Sequence, residues 1–132
     1  MEEKKKRYWL YVLSLKEGKY YVGITSKKNP YDRISEHMNG FYTAQWVKKY
    51  KPIKPVEIID IGNITKEETD RLELQRTLQY MKKYGYQNVR GGKLNYSGKY
   101  IKIGDRFWRD EEFLMYLTIF TLLTIMFIFI LK

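Results

Sequence analysis

The feature that most constrains the fold is a stretch near the start of the chain that predicts two antiparallel strands and a tight turn. Residues 8–15 mix aromatic and β-branched side chains in the manner of a strand, and residues 19–24 do the same. Between them, Lys16-Glu17-Gly18 supplies turn chemistry. The sequence therefore predicts a β-hairpin.

The length of the turn sets the register of this hairpin. A three-residue loop is a type I turn followed by Gly18 in the left-handed conformation, which glycine adopts without steric cost. This loop places Tyr11 opposite Gly23 and brings Tyr11 and Tyr21 to the same face of the sheet, whereas a two-residue loop would separate them. We therefore expect two phenols to converge.

A helix is predicted shortly after the hairpin. Asn29-Pro30 suits a helix start, since proline is tolerated in a first turn. Arg33 and His37 are then four residues apart on one helical surface. A cation and an imidazole can thus face one ligand.

The middle of the chain predicts a second helix at residues 44–50, stopped by Pro52, and a central strand at residues 55–62. Thr65 and Glu68 have the spacing of a capping box that opens a long helix over residues 66–83. The apolar stripe predicted for this helix consists of Leu74, Leu78 and Met81.

Several short motifs, taken in order, resemble the GIY-YIG nuclease family over roughly residues 8–92. The residues that carry the resemblance are Tyr11, the Tyr21-Val22-Gly23 triplet, Arg33, His37, Glu73 and Asn88.

Three features depart from the family pattern. The first motif is Trp9-Leu10-Tyr11, so only its tyrosine is kept. The spacing from Tyr21 to Arg33 is two residues longer than in familiar members, and Ile24 stands where some repair-type members carry a lysine. These departures place the chain nearer the homing-endonuclease branch and the small single-domain members.

The resemblance implies an α+β fold, with a three-stranded antiparallel sheet flanked by helices in the order β-β-α-α-β-α. This endonuclease-like domain would occupy residues 1–92, followed by a linker at residues 93–112.

The resemblance also implies a phosphodiester hydrolase that uses a divalent cation and no small-molecule cofactor. Glu73 would hold one Mg²⁺ or Mn²⁺ ion, since a lone carboxylate suits a single metal. Arg33 would bind the scissile phosphate. Tyr11 and Tyr21, with His37, would deprotonate or orient the attacking water, and Tyr11 would act as a base only if nearby positive charge lowers its pKa.

Without the family, the same residue types have ordinary structural roles. Glu73 would be a solvated surface charge, His37 a satisfied structural residue and Arg33 a salt-bridge donor. The tyrosines would be core aromatics. Asn88, which the resemblance implies orients a group of the site, would be a turn residue.

The charge of the chain favours a polyanionic partner. Its 25 Lys and Arg against 15 Asp and Glu give a net charge of +10, and the partner that the family implies is DNA, double-stranded or branched. Lys48, Lys49 and Lys51 beside Trp46 can hold phosphates and stack bases. The alternative is a core aromatic beside a solvated basic face. The lack of cysteine excludes disulfides, a zinc knuckle and a thiol nucleophile.

Residues 113–131 form a run of nineteen residues without a charge. A helix of that length spans about 28 Å, close to the hydrocarbon thickness of a bilayer. This run predicts a single-pass transmembrane helix; the alternative is a buried core helix. The cations that flank it are Lys102, Arg106 and Arg109 before the run and Lys132 after it, so we expect the nuclease domain on the cytoplasmic side.

Two further expectations concern this apolar segment. Trp108 and Tyr116 are expected near one membrane interface. The hydroxyls of Thr118, Thr121 and Thr124 are expected to bond back to carbonyls of their own helix.

The sequence thus predicts a membrane-tethered, divalent-metal-dependent endonuclease that hydrolyses DNA. Two alternatives remain open. One is a catalytically inactive nucleic-acid-binding module of the same fold, and the other is a membrane adaptor that binds anionic lipid through its basic face.

Overall fold

The computed structural model describes residues 3–132, which form two compact units divided after Ser97. The first unit contains four strands, β1 (Lys6–Leu15), β2 (Tyr20–Thr25), β3 (Pro52–Ile64) and β4 (Val89–Gly91), and three helices, α1 (Pro30–Met38), α2 (Gln45–Lys49) and α3 (Lys66–Tyr84). The second unit contains β5 (Tyr100–Ile103), β6 (Arg106–Arg109) and α4 (Asp110–Ile130). The predicted α+β class is confirmed.

The hairpin of β1 and β2 has the predicted register. Tyr11 pairs with Gly23, and the amide of Leu15 donates to the carbonyl of Lys19 at 2.7 Å. The turn differs from the prediction, because Glu17 as well as Gly18 has a left-handed φ, of 61° and 68°. Left-handed φ at two successive residues is not the type I turn that the sequence predicts.

The sheet has four strands in the order β3-β1-β2-β4. The predicted central position of β3 is wrong, since β3 pairs only with β1 and lies at the edge. Its two prolines, Pro52 and Pro55, have no amide to donate to a further strand and so suit an edge. The fourth strand, β4, pairs parallel with β2 and extends the expected three-stranded sheet.

Helix α1 begins where the sequence predicts. The side chain of Asn29 accepts a hydrogen bond from the amide of Tyr31 at 3.0 Å, and Pro30 occupies the first helical turn. This helix and α2 pack on one face of the sheet. The buried core on that face consists of Tyr11, Leu13, Leu15, Tyr21, Ile34, Trp46 and Val47.

Helix α3 has the predicted capping box, but of the predicted apolar stripe only Met81 is buried. Thr65 and Glu68 exchange both capping hydrogen bonds. Leu78 is 41% exposed, and the buried residues are Thr69, Glu73, Thr77 and Met81.

The buried threonines of α3 are tolerated because their hydroxyls are satisfied within the helix. Thr69 donates to the carbonyl of Thr65 at 2.8 Å, and Thr77 donates to that of Glu73 at 2.7 Å. Their small size also allows a close approach to the sheet. A Cβ atom on Gly91 of β4 would collide with Thr77 and with Val22.

The second unit begins with the β5–β6 hairpin, which lies within the segment expected to be a linker. The apolar helix α4 follows it directly. No residue of α4 is buried, and the helix is long and apolar enough to cross a membrane. The predicted back-bonding is confirmed, since the hydroxyls of Thr118, Thr121 and Thr124 donate to the fourth preceding carbonyl at 2.9, 2.8 and 2.8 Å.

Candidate active site

A buried pair of polar rings lies at the centre of the candidate site. The hydroxyl of Tyr11, in the middle of β1, is 2.7 Å from Nε2 of His37, in the last turn of α1. Each residue is 1% exposed. The other ring nitrogen of His37, Nδ1, is hydrogen-bonded to Oγ1 of Thr43. The middle of β1 and the last turn of α1 thus bring a phenol and an imidazole together.

Tyr21 completes a cluster of three rings. Its ring centroid lies 6.4 Å from that of Tyr11 and 5.2 Å from that of His37. The predicted convergence of the two phenols is therefore confirmed. Gly23 makes room for it, because a Cβ atom there would lie 2.5 Å from the hydroxyl of Tyr11.

Burial sets the protonation of this cluster. It raises the pKa of Tyr11 well above its ordinary value, and it raises the pKa of Tyr21 to about 12, with the charge of Glu73 adding to the effect. The positive charge of Arg33 opposes both shifts without overcoming them. Burial, followed by the charge of Arg33, lowers the pKa of His37 to about 4. At neutral pH both phenols are thus protonated and His37 is a neutral imidazole able to accept a proton.

Arg33 lies on the same helix as His37, four residues earlier. Its guanidinium donates to Glu36 at 2.6 Å, and Glu36 also accepts from Lys27 at 2.8 Å. The positive charge of the guanidinium acts on the phenol and favours a lower pKa of Tyr11, although burial outweighs it. A permanent cation therefore borders the phenol, partly open to solvent.

Glu73 approaches the rings from α3. Its residue is 8% exposed, and burial raises the pKa of the carboxyl to about 7, while Lys66 and the amide of Gly92 favour the ionised form. The charge of Glu73 also raises the pKa of both Tyr11 and Tyr21, so the carboxylate and the phenols share one electrostatic environment.

A cavity of about 390 Å³ lies in front of the carboxylate. The residues that line it are Tyr21, Ile24, Lys66, Asp70, Glu73, Gly92, Lys93 and Asn95. Gly92 has a left-handed φ of 52°, and a Cβ atom there would be in van der Waals contact with the Glu73 carboxylate. Lys66, Asp70 and Asn95 did not stand out in the sequence, because nothing local to them indicates that α3 and the chain after β4 meet here.

The hydrogen bonds of Asn88 go to residues outside the three-ring cluster and join neighbouring elements. Its side chain accepts from Nζ of Lys19 at 2.6 Å and donates to the carbonyl of Tyr84 at 2.7 Å. Its own carbonyl accepts from the amide of Tyr20 at 2.8 Å. Asn88 thus joins the end of α3 to the start of β2, the strand that carries Tyr21.

Trp46 is part of the core. It is 2% exposed, its indole N–H donates to the carbonyl of Tyr20 at 3.0 Å, and the guanidinium of Arg90 lies 4.3 Å from the ring centroid. In this position the ring has no free face for a base. Its neighbours Lys48, Lys49 and Lys51 are exposed.

A second cavity, of about 480 Å³, is lined by His37 and by three lysines. Lys48 and Lys51 line it together with Lys16 of the hairpin turn, which the sequence pattern did not indicate. The backbone explains the arrangement, because the amide of Lys16 donates to the carbonyl of Lys51 at 2.9 Å.

Arg90 is a buried cation that sequence reasoning also missed. It is 1% exposed and donates to the carbonyls of Tyr96 at 2.6 Å, Tyr86 at 2.9 Å and Val89 at 2.8 Å. An arginine in a Val-Arg-Gly-Gly stretch carries no local signal of burial. Its bonds fix the chain on both sides of β4.

Of the comparisons with known proteins, the one with family models gives a match. No curated protein and no solved structure matches the chain. The family model for the GIY-YIG catalytic domain matches residues 7–87, more than half of the chain and the span that holds the three rings, Arg33 and Glu73. The chain therefore belongs to the GIY-YIG catalytic domain family, a family of nucleases.

Proposed function

We propose that this protein is a membrane-tethered endonuclease that hydrolyses DNA phosphodiester bonds with the help of a divalent cation. The observation that carries the proposal is the hydrogen-bonded pair of Tyr11 and His37, beside the charge of Arg33, with Glu73 in the electrostatic environment of both phenols. A hydrogen-bonded phenol and imidazole, a cation and a carboxyl of raised pKa beside a cavity are typical of a hydrolytic site.

Glu73 is the residue that would hold the cation, Mg²⁺ or Mn²⁺. Burial disfavours its ionised form, and a cation in the adjoining cavity would compensate for that cost. Within residues 3–132 no group of three or more His, Asp or Glu side chains is placed to bind a metal. One carboxylate with water and phosphate oxygens suits Mg²⁺. When bound, the ion neutralises phosphate charge and favours ionisation of water.

Arg33 is suited to the scissile phosphate. A guanidinium is always charged and presents a planar fork to two phosphate oxygens. Its contact with Glu36 leaves further N–H groups for a ligand, and since its charge acts on Tyr11, a phosphate bound there would lie near the phenol. Arg33 would thereby stabilise the charge that develops as the bond breaks.

Tyr11 and His37 would act together on the attacking water. The raised pKa of Tyr11 excludes a stable phenolate, so the phenol takes the water's proton as its own proton passes to Nε2 of His37. The hydroxide so formed attacks phosphorus as the bond to the leaving oxygen breaks. The leaving oxygen takes up a proton from solvent, and His37 later releases its proton to solvent. Tyr21, which lines the cavity, would orient the water.

The exposed lysines would hold the DNA backbone. Lys48 and Lys51, with Lys16, surround the cavity behind His37, and Lys49 is their exposed neighbour. Phosphate neutralisation by lysine supplies affinity without sequence preference. Base stacking on Trp46 is not part of this proposal, because the ring is buried.

Helix α4 would tether the enzyme as a single-pass anchor, with the catalytic domain on the cytoplasmic side. Trp108 and Tyr116 are in edge-to-face contact, with centroids 6.1 Å apart, at the end of the helix that follows the basic hairpin. Aromatic side chains of this kind favour a membrane interface. Cleavage would then be confined to DNA that comes close to a membrane.

The direct test is cleavage of supercoiled plasmid by the full-length chain in detergent micelles with Mg²⁺. We expect nicking by the wild type and loss of nicking for Glu73→Gln and for Arg33→Ala. The matched controls are Glu67→Gln and Arg71→Ala, which change exposed residues of the same two types on α3.

Two outcomes contradict the proposal. Tight DNA binding without cleavage by the wild type indicates an inactive binding module. Binding of anionic liposomes that is unchanged by Glu73→Gln and Arg33→Ala, without cleavage, indicates a lipid adaptor.

The tether has its own test in membrane fractions. A Leu122→Arg, Ile125→Arg double variant places two charges in the middle of α4, each costing about 2.5 to 3.5 kcal/mol on insertion. We expect the wild type to resist alkaline extraction and the double variant to be released. Protease added to the outer side should leave the catalytic domain intact; its digestion would contradict the cytoplasmic orientation.

A further inference from the structure

The single histidine of the chain has both ring nitrogens in hydrogen bonds. Nε2 of His37 contacts the Tyr11 hydroxyl at 2.7 Å, and Nδ1 is bonded to Oγ1 of Thr43. Since the pKa of His37 is lowered to about 4, the ring is neutral at pH 7 and carries one proton. The nitrogen that carries this proton decides whether His37 can receive another from Tyr11.

The direction of these bonds follows from Arg33. Arg33 carries a permanent positive charge whose field acts on the Tyr11 phenol. This field favours the orientation in which the phenol oxygen faces the cation and the phenol proton points to Nε2 of His37, 2.7 Å away. Nε2 is therefore the acceptor, the ring proton is on Nδ1, and Nδ1 donates it to Thr43.

Thr43 reaches His37 from the loop between α1 and α2, which has an unusual backbone. Tyr42, the preceding residue, has a φ of 45°, in the left-handed region that residues other than glycine seldom adopt. Its side chain is 89% exposed, so packing of that ring does not explain the conformation. Such strain persists where the surroundings fix it, and the bond from Thr43 to the buried ring of His37 is one such constraint.

We propose that Thr43 is a positioning residue that holds His37 in the Nδ1-protonated tautomer, with the lone pair of Nε2 directed at the Tyr11 hydroxyl. This role rests on the proposed nuclease function. In the proton transfer the O–H bond of Tyr11 breaks and an N–H bond forms at Nε2, while Tyr11 gains the proton of the attacking water. The Nδ1–H bond to Thr43 is kept, and it stabilises the imidazolium that forms.

The test uses the full-length chain in detergent micelles, with histidine isotopically labelled at both ring nitrogens. The single histidine gives one pair of nitrogen signals, which identify the tautomer directly. Thr43→Val removes the hydroxyl at nearly constant shape, and Thr43→Ser keeps it. At pH 7 we expect protonated Nδ1 and unprotonated Nε2 in the wild type and in Thr43→Ser. In Thr43→Val we expect a large share of the molecules to carry the proton on Nε2.

Plasmid cleavage with Mg²⁺ gives the second readout. We expect Thr43→Val to lower kcat about 100-fold with KM unchanged, as for loss of a general base, and Thr43→Ser to retain most of the wild-type rate. A wild type protonated on Nε2, or a Thr43→Val variant with an unchanged tautomer, overturns the role of Thr43. A wild type that cleaves no DNA overturns the nuclease function, while the nitrogen signals still decide whether Thr43 sets the tautomer.

Discussion

Gly23 lies directly opposite Tyr11 in the β1–β2 ladder, and the absence of its side chain is what leaves room for the Tyr11 phenol. A Cβ atom at this position would lie 2.5 Å from both the Cζ atom and the hydroxyl of that ring. Gly23, on β2, thus affects the site by leaving space for the ring of Tyr11 on β1.

The first prediction follows from this contact. Gly23→Ala should force the Tyr11 ring away from His37, with a loss of cleavage and a fall of about 1 to 3 kcal/mol in the free energy of unfolding, as for other overpacked cores. Urea unfolding of the full-length chain measures the stability. The matched control is the same substitution in a Tyr11→Leu background, where it should cost less. If Gly23→Ala lowers the free energy of unfolding equally in both backgrounds, the added methyl group does not collide with the Tyr11 ring.

The second prediction concerns Glu73 and pH. The carboxyl has a pKa of about 7 in the folded protein, above its ordinary value of 4.5, because it is buried. Since a cation binds only the ionised form, Mg²⁺ affinity and cleavage at low Mg²⁺ should fall as the pH drops through 7. Magnesium titrations of activity between pH 5.5 and 8.5 test this. A profile that is flat across this range is incompatible with Glu73 as the metal ligand.

The third prediction is the stability counterpart. A carboxyl with a raised folded-state pKa binds more protons in the folded than in the unfolded protein between pH 4.5 and 7, so stability falls as the pH rises through that range. Glu73→Gln removes the ionisable carboxyl and therefore this pH-dependent loss of stability. Without Mg²⁺ the variant should gain up to about 3 kcal/mol relative to wild type between pH 4.5 and pH 8. Exposed Glu67→Gln is the control and should show no such gain; a Glu73→Gln difference independent of pH refutes the burial argument.

The fourth prediction concerns Arg90. Its guanidinium donates to three backbone carbonyls around β4 and lies over the ring of Trp46. Arg90→Met should lower the free energy of unfolding by about 3 kcal/mol, because buried carbonyls lose charged donors. Thermal unfolding compares it with Arg71→Met at an exposed position, expected to be nearly neutral. Similar melting temperatures for the two variants would show that the hydrogen bonds of Arg90 do not stabilise the fold.

The fifth prediction concerns the lysines behind His37. Lys48→Gln and Lys51→Gln should each weaken DNA binding and reduce the slope of log affinity against log salt by about 0.9, since each removes one phosphate contact. Binding measured at several salt concentrations gives the slope. Exposed Lys82→Gln on α3 is the control. An unchanged slope for both Lys48 and Lys51 variants would place the DNA elsewhere.

The parts of the fold that the sequence predicted well are those set by local chemistry. Turn length fixed the pairing of Tyr11 with Gly23, and capping residues fixed the starts of α1 and α3. These signals arise from residues within a few positions of each other, so no knowledge of the rest of the chain is needed.

The parts that were missed depend on long-range packing. The buried side of α3 is polar, because Thr69 and Thr77 satisfy their hydroxyls internally and fit close to the sheet, which hydrophobic periodicity does not register. Strand β4 has only three residues, too few for a pattern. The contact of Thr43 with His37 depends on a loop conformation that no local sequence pattern predicts.

Strand β1 is paired on both sides, and this has a consequence for the rigidity of the site. The amide hydrogen of Tyr11 should exchange with solvent only when the whole domain unfolds. Strand β4 lies at an edge, but its residues are buried and the bonds of Arg90 fix the chain on both sides of it. We therefore expect both walls of the pocket to keep their geometry for as long as the domain stays folded.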